Sequence, residues 1–162
     1  MKNSERTRKI LFGCALALSI LWLLFIFSNS LDTGIESDQK SSSVTQIIND
    51  ILHAIGFKGD IPHATVRKLA HFGEFAILAI FVCTTLLLSP KKLPTLHCAL
   101  FCPIICLICA YFDETIQIFS EGRGPQLSDV AIDTFGAICG TAGIMFLYFI
   151  IIKISQRTKK HL

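Results

Sequence analysis

The stretch Thr134-Phe135-Gly136-Ala137-Ile138-Cys139-Gly140-Thr141-Ala142-Gly143-Ile144-Met145-Phe146-Leu147-Tyr148-Phe149-Ile150-Ile151-Ile152 carries no charged side chain and is closed by Lys153. About 20 apolar residues cross the hydrocarbon core of a bilayer, so it reads as a transmembrane helix. Three further uncharged blocks lie upstream, at residues 10–31, 75–90 and 93–112. The second reaches spanning length if its helix starts ahead of Phe75. These blocks explain why the 162 residues are 52% hydrophobic and only 17% charged, where a soluble domain carries about 25% charge. A soluble enzyme, a nucleic-acid binder and a disordered tail are thereby excluded.

The polar residues fall into two pools separated by the blocks. The N-terminus, the loop at Lys91 and Lys92 and the tail from Lys153 hold ten of the 15 Lys/Arg and one of the 12 acids, Glu5. Positive charge marks cytoplasmic segments, so both termini are expected inside. The predicted architecture is all-α: an integral membrane bundle of four transmembrane helices at about 10–29, 67–89, 94–118 and 129–152. Residues 1–9 and 153–162 form basic cytoplasmic ends of the 10–152 membrane domain. The basic N-terminus followed by an apolar run resembles a secretory signal. Its run is long, ends without a small-x-small site and precedes three more spans, so it reads as a signal-anchor.

The longest connection, 32–65, lies outside. Its apolar positions 44, 47, 48, 51, 52 and 55 follow a helical period, which predicts a short amphipathic outer-loop helix ended by Gly56. Lipid contact and packing on the protein itself are both open to it. The fourth span is expected to be capped near Ser128. The seven cysteines lie in or beside the spans. Cys98, Cys102, Cys106 and Cys109 share one helical stripe, read as small packing residues rather than metal ligands.

Ionisable residues enter three of the spans. Counting from Lys91, Lys92 and Lys153 at about 1.5 Å per residue places Glu74, Asp113 and Asp133 near one depth, at the outer edge of the hydrocarbon. Arg67, His71 and Glu74 share a face, Asp113 and Glu114 each share one with Gln117, and Asp129, Asp133, Gly136 and Gly140 form a stripe. The glycines allow a neighbouring helix to approach closely, turning the aspartates inward. Glu74, Asp113, Glu114, Asp129 and Asp133 outnumber Arg67, Lys68 and Arg123, so a neutral carboxyl or a bound cation is expected.

Three readings follow. One is an interhelical salt-bridge lattice that only fixes the bundle. Another is a divalent metal site of His71, Glu74, Asp113 and Asp133, although no short metalloprotease signature supports it and no cofactor is otherwise implied. The third is a ligand site formed by Arg67, Lys68, His71, Glu74, Asp113, Glu114, Gln117, Arg123, Asp129 and Asp133.

At these residues the chain resembles the VanZ-like family of small membrane proteins. The resemblance rests on Arg67-Lys68-Leu69-Ala70-His71-Phe72-Gly73-Glu74-Phe75, Asp113-Glu114-Thr115-Ile116-Gln117, Gly122-Arg123-Gly124-Pro125-Gln126-Leu127-Ser128-Asp129-Val130 and Asp133-Thr134-Phe135-Gly136-Ala137, in that order. Phe25-Ile26-Phe27-Ser28 and Ser41-Ser42-Ser43 also match, and Phe75 stands where the family often has Tyr. The resemblance implies a multi-pass protein of the bacterial plasma membrane, in some members linked to lowered teicoplanin sensitivity and antibiotic resistance. It implies no agreed reaction.

The leading expectation is an outer polar pocket that binds or modifies a cell-envelope component. Membrane lipids, a lipid-linked cell-wall precursor or a lipoglycopeptide are the expected partners; nucleic acid is not, and protein partners are unassigned. The alternative is an intramembrane hydrolase or transferase acting on a lipid-linked substrate, with His71, Glu74 and Asp113 as catalytic candidates. A transporter is disfavoured by four spans without an inverted repeat.

Overall fold

The computed structural model describes residues 2–160, with side chains from 4 to 158. Lys2, Lys159 and Lys160, counted above among the cytoplasmic bases, thus have side chains outside the described set. The elements are α1 (Lys2–Ser30), α2 (Gly34–Ala54), α3 (His63–Leu88), α4 (Thr95–Gln117) and α5 (Leu127–Lys160). Four of the five are long and apolar enough to cross a membrane: Ser4–Ser30, His63–Leu88, Thr95–Gln117 and Leu127–Thr158. The shortest, at 23 residues, extends about 35 Å at 1.5 Å per residue, more than a hydrocarbon core of about 30 Å.

The end helices are longer than the apolar blocks. Both α1 and α5 continue into the basic ends, because Lys, Arg and Gln are good helix formers and neither stretch contains Gly or Pro. The cap expected at Ser128 is not formed. α5 starts at Leu127, two residues earlier than expected, on the Gln126 carbonyl, which accepts from the Asp129 and Val130 amides. The Ser128 hydroxyl instead donates to the Asp129 carboxylate, at 3.2 Å.

α3 and α5 make the tightest pairing. A Cβ at Gly136 would collide with the Phe72 carbonyl, and one at Gly140 with the Ala76 carbonyl. The matched steps from 72 to 76 and from 136 to 140 show that the two helices run parallel. The predicted glycine stripe is therefore a contact surface, and its partner is the backbone of α3.

Polar side chains tie the other helices to α3. On α1, the Trp22 indole donates to the Glu74 carbonyl at 2.9 Å, and Ser19 and Thr85 pair their hydroxyls at 3.2 Å. Arg8 donates to the carbonyls of Leu87, Leu88 and Ser89, satisfying the end of α3. On α4, Cys98, Cys102 and Cys106 are buried as packing residues; Cys102 donates to the Ala79 carbonyl and accepts from Thr141 of α5. Phe75 is fully buried in this apolar core.

The outer helix is twice as long as its apolar period suggests. α2 begins at Gly34 under a capping box in which the Glu36 amide donates to Thr33 and the Thr33 amide donates back to Glu36. Its first turn is fastened to the α4–α5 loop. The Gly34 amide donates to the Glu121 carbonyl at 2.9 Å, and a Cβ on Gly34 would lie 2.7 Å from the Gly122 oxygen. Gly122 itself takes a φ of 76°, which favours glycine. Its far end is held by Asn49, whose side chain accepts from the Ile61 amide. Val44, Ile47, Ile51 and Ile55 remain exposed, an apolar face suited to the membrane interface.

Two outcomes are expected. Gly136→Ala should destabilise the purified protein by about 1–3 kcal/mol through overpacking, measured by unfolding in mixed detergent. Gly143→Ala, where a Cβ meets nothing within 4 Å, should leave stability unchanged or slightly raised. A green fluorescent protein fused after Leu162 should fluoresce, whereas an alkaline phosphatase fusion there should be inactive; the reverse pattern would overturn the inside placement of the termini.

Candidate functional site

Of the three acids that the lysine rulers place at one depth, Asp113 and Asp133 meet and Glu74 does not. His71 of α3, Asp113 and Glu114 of α4 and Asp133 of α5 are all buried, and each offers a ligand atom within 4.8 Å of the others. Three helices thus converge on one point. α5 supplies Asp133 one turn before Gly136, where it lies closest to α3, and the adjacent His71 faces it with Nδ1 3.5 Å from Oδ1. That separation permits charge attraction without a hydrogen bond. His71 Nδ1 and both Asp133 oxygens are buried without a hydrogen-bond partner.

The α4 carboxylates are held from outside the cluster. Ser30, the last residue of α1, donates to Asp113 Oδ1 at 2.6 Å. Gln117 donates to Glu114 Oε1 at 2.9 Å and more weakly to Asp113 Oδ2 at 3.5 Å, as the shared face predicts. The Gln126 amide donates to Glu114 Oε2 at 2.7 Å. Ser30 is fixed in turn, because its carbonyl accepts from Ser120 at 2.8 Å.

Glu74 is not a member of the cluster. It is half-buried, accepts from Asn29 Nδ2 at 3.1 Å and lines a cavity above the cluster. Glu114 takes the place given to Glu74 in the expected metal set. Glu74 is on the same side of α3 as His71, but the α4 backbone brings Glu114 inward instead.

The cavity, of about 180 Å³, lies between α2 and the bundle. Its walls include Arg67, His71, Glu74 and Arg123, together with Asn29, Ser30, Asp32, Ser37, Lys40 and Ser41. A smaller one of about 100 Å³ adjoins it, sharing Ser37, Arg67 and Arg123 and reaching Gln117 and Gln126. Both arginines are half-buried. Arg123 donates to the Asn29 carbonyl at 3.0 Å, and Lys40 pairs with Asp32 at 2.6 Å. Lys68 is exposed and lines neither cavity. Asp129 is buried beside Ser128 and is likewise outside both.

The salt-bridge lattice is not what the helices build. Among the described residues no Lys or Arg pairs with Glu74, Asp113, Glu114, Asp129 or Asp133. The arginines stand at the cavity wall and the cluster acids lie beneath it.

Asn29, Ser30, Asp32, Ser37 and Lys40 were not read as site residues from sequence. Asn29 and Ser30 follow a long apolar run, where polar residues commonly just mark a span's end. The legible signal for α2 was Thr33-x-x-Glu36, a capping-box pattern that starts a helix ten residues ahead of its apolar period.

Four helices able to cross a membrane, closed at one end around buried histidine and carboxylates, define a multi-pass membrane protein with a polar site set into its bundle. Residues 14–154 match the VanZ/LLP1 family, and the chain belongs to it. The matched region includes every residue of the cluster and both cavities. Comparison with curated proteins and with solved structures found no match.

Ser30→Ala removes a hydrogen bond to a buried carboxylate. It is expected to lower stability by about 1.5–3 kcal/mol, whereas Ser28→Ala, whose hydroxyl is exposed and bonds only its own helix, should cost far less in the same unfolding assay.

Proposed function

We propose that this VanZ-like membrane protein binds or modifies an anionic, amphiphilic component of the cell envelope at the outer face of the bacterial plasma membrane. The carrying observation is the cavity under α2, with Arg67 and Arg123 in its wall. Arg67 is half-buried and has no hydrogen-bond or ion-pair partner among the described residues. A half-buried guanidinium without a counter-charge favours a phosphate or carboxylate ligand, which it meets with two parallel N–H donors. A volume of about 180 Å³ suits a headgroup rather than a whole ligand, since pockets for drug-sized molecules occupy roughly 300–1,000 Å³. The acyl or prenyl part would remain in lipid, beside the exposed apolar residues of α2.

A phosphate-bearing lipid or lipid-linked wall precursor fits these features better than a free soluble molecule. Retention or alteration of such a precursor near the membrane surface would reduce what a teicoplanin-type lipoglycopeptide encounters there. This is the route by which the family link to glycopeptide resistance would extend to this chain.

A hydrolase or transferase reading has one observation in its favour. His71 lines the same cavity with its Nδ1 toward the Asp133 carboxylate, an arrangement that can orient an imidazole for proton transfer. A lipid-linked phosphate held by the arginines would then lie within reach of a base.

Native mass spectrometry of the purified protein with anionic phospholipids and lipid-linked wall precursors tests binding. Arg67→Ala is expected to weaken retention of the preferred lipid by about 10–100-fold, the loss of one charge-assisted contact, while Lys68→Ala leaves it unchanged. Equal losses from both variants would mean unspecific surface attraction and sink the proposal. Cells expressing Arg67→Ala should also lose any reduction in teicoplanin sensitivity that the wild type confers. For the hydrolase reading, His71→Ala should retain lipid binding while abolishing any change in the precursor pool.

A further inference from the structure

We propose that His71, Asp113, Glu114 and Asp133 bind one divalent metal ion, of the Zn²⁺ or Mn²⁺ class, inside the bundle. The proposal does not depend on headgroup binding in the cavity above.

The donor arrangement comes first. Four side chains from three helices place ligand atoms within 4.8 Å of one another. Ligands bound at about 2.0–2.2 Å stand roughly 3.0–3.5 Å apart when adjacent and about 4.2 Å apart when opposed. The 3.5 Å between His71 Nδ1 and Asp133 Oδ1, an ion-pair contact and not a hydrogen bond, matches two ligands on adjacent vertices of one ion.

The second observation is independent of spacing. Asp133 is fully buried, and neither of its oxygens has a hydrogen-bond partner; the same is true of His71 Nδ1. A buried carboxylate without hydrogen-bond donors loses its hydration, and the contact with His71 at 3.5 Å offsets that only if the imidazole is charged. Both groups turn their free atoms toward the cluster, where a cation would satisfy them together.

Charge gives the valence. Three carboxylates share the cluster with one histidine, and among the described residues no Lys or Arg pairs with them. Ionisable groups within the membrane are tolerated when they pair or face a polar cavity. A divalent cation brings three carboxylates close to balance, whereas Arg67 and Arg123 stand at the cavity wall and pair with none of them.

The supporting contacts resemble those around a ligand set. Ser30, Gln117 and the Gln126 amide donate to Asp113 and Glu114. Donors of this kind fix ligating carboxylates in one orientation, and each oxygen keeps a lone pair for the metal. One imidazole with three carboxylates suits Mn²⁺ or Zn²⁺ better than the all-oxygen sites of Ca²⁺. His71 also lines the cavity, which gives the ion a route in from the α2 end.

The experiment uses the full-length protein purified in detergent and stripped with a chelator. It is then incubated with Zn²⁺ or Mn²⁺ alone, desalted and analysed by elemental mass spectrometry. About one ion per chain is expected, together with a rise in Tm, since an ion that binds only the folded state stabilises it. Asp133→Asn and Glu114→Gln should each reduce retained metal to background and abolish the Tm rise. Glu74→Gln, outside the cluster, should keep both. The Mn²⁺ electron paramagnetic resonance signal, broadened on binding, reports occupancy directly if one variant purifies poorly.

Metal at background in the wild type, or full metal retention in both Asp133→Asn and Glu114→Gln, would overturn the proposal. So would an Asp133→Asn protein that is more stable than wild type with and without metal, because the carboxylates would then be held by shared protons. Metal content is read without lipid and headgroup retention is read through Arg67→Ala, so either proposal can fail without the other.

Discussion

The contact of Gly136 and Gly140 with the backbone of α3 sets the position of nearly everything polar in this bundle. In a bilayer, lipid tails are as apolar as leucine, so helices associate through close packing and hydrogen bonds rather than through expulsion of water. Two glycines one turn apart allow α5 to lie directly on the carbonyls of Phe72 and Ala76. Asp133 is one turn before the first glycine and His71 is adjacent to Phe72, so the same approach that packs the helices brings these two side chains face to face. Bulk at either glycine would separate the helices and open the cluster along with them.

The remaining helices are arranged around that pair by hydrogen bonds with little freedom. α4 brings Asp113 and Glu114 side by side, and Gln117 spans both. α1 ends where its last serine can donate to Asp113, and the Trp22 indole, about two turns further in, fixes α1 against the Glu74 carbonyl. The α4–α5 loop contributes a backbone amide to Glu114 and a carbonyl to the start of α2. The α4–α5 loop, α2 and the cluster are therefore one connected polar structure, while the opposite half of the bundle is packed by small residues such as Cys83, Cys98 and Cys102.

Separation of charge by depth gives the two proposals their different chemistry. The arginines reach the cavity wall, where a long side chain can extend toward water and phosphate. The short aspartates cannot reach it and stay among the helices. The distinction explains why the acids and bases of the constellation do not form the salt-bridge lattice that was one reading of them. Opposite charges that lie near one another in sequence patterning were assigned to different sides of the same site.

Four crossings, the placement of both termini on one side and the depth shared by three acids were all legible in the sequence, because they depend only on hydropathy, charge bias and rise per residue. The glycine stripe was legible as a contact, since GxxxG spacing puts both residues on one helical face, but not its partner. The first half of α2 was hidden: residues 34–43 have no apolar period, and their helix is stabilised by the Thr33–Glu36 box and by bonds to Glu121 that are distant in sequence. The exchange of Glu74 for Glu114 in the cluster was equally out of reach. Helical spacing says which residues of one helix share a face, yet which face meets a neighbour depends on how three helices rotate against each other. The sequence alone thus determined that a membrane bundle carries its acids at one level. Only the tertiary structure decided which of them meet, because packing fixes rotation and register together.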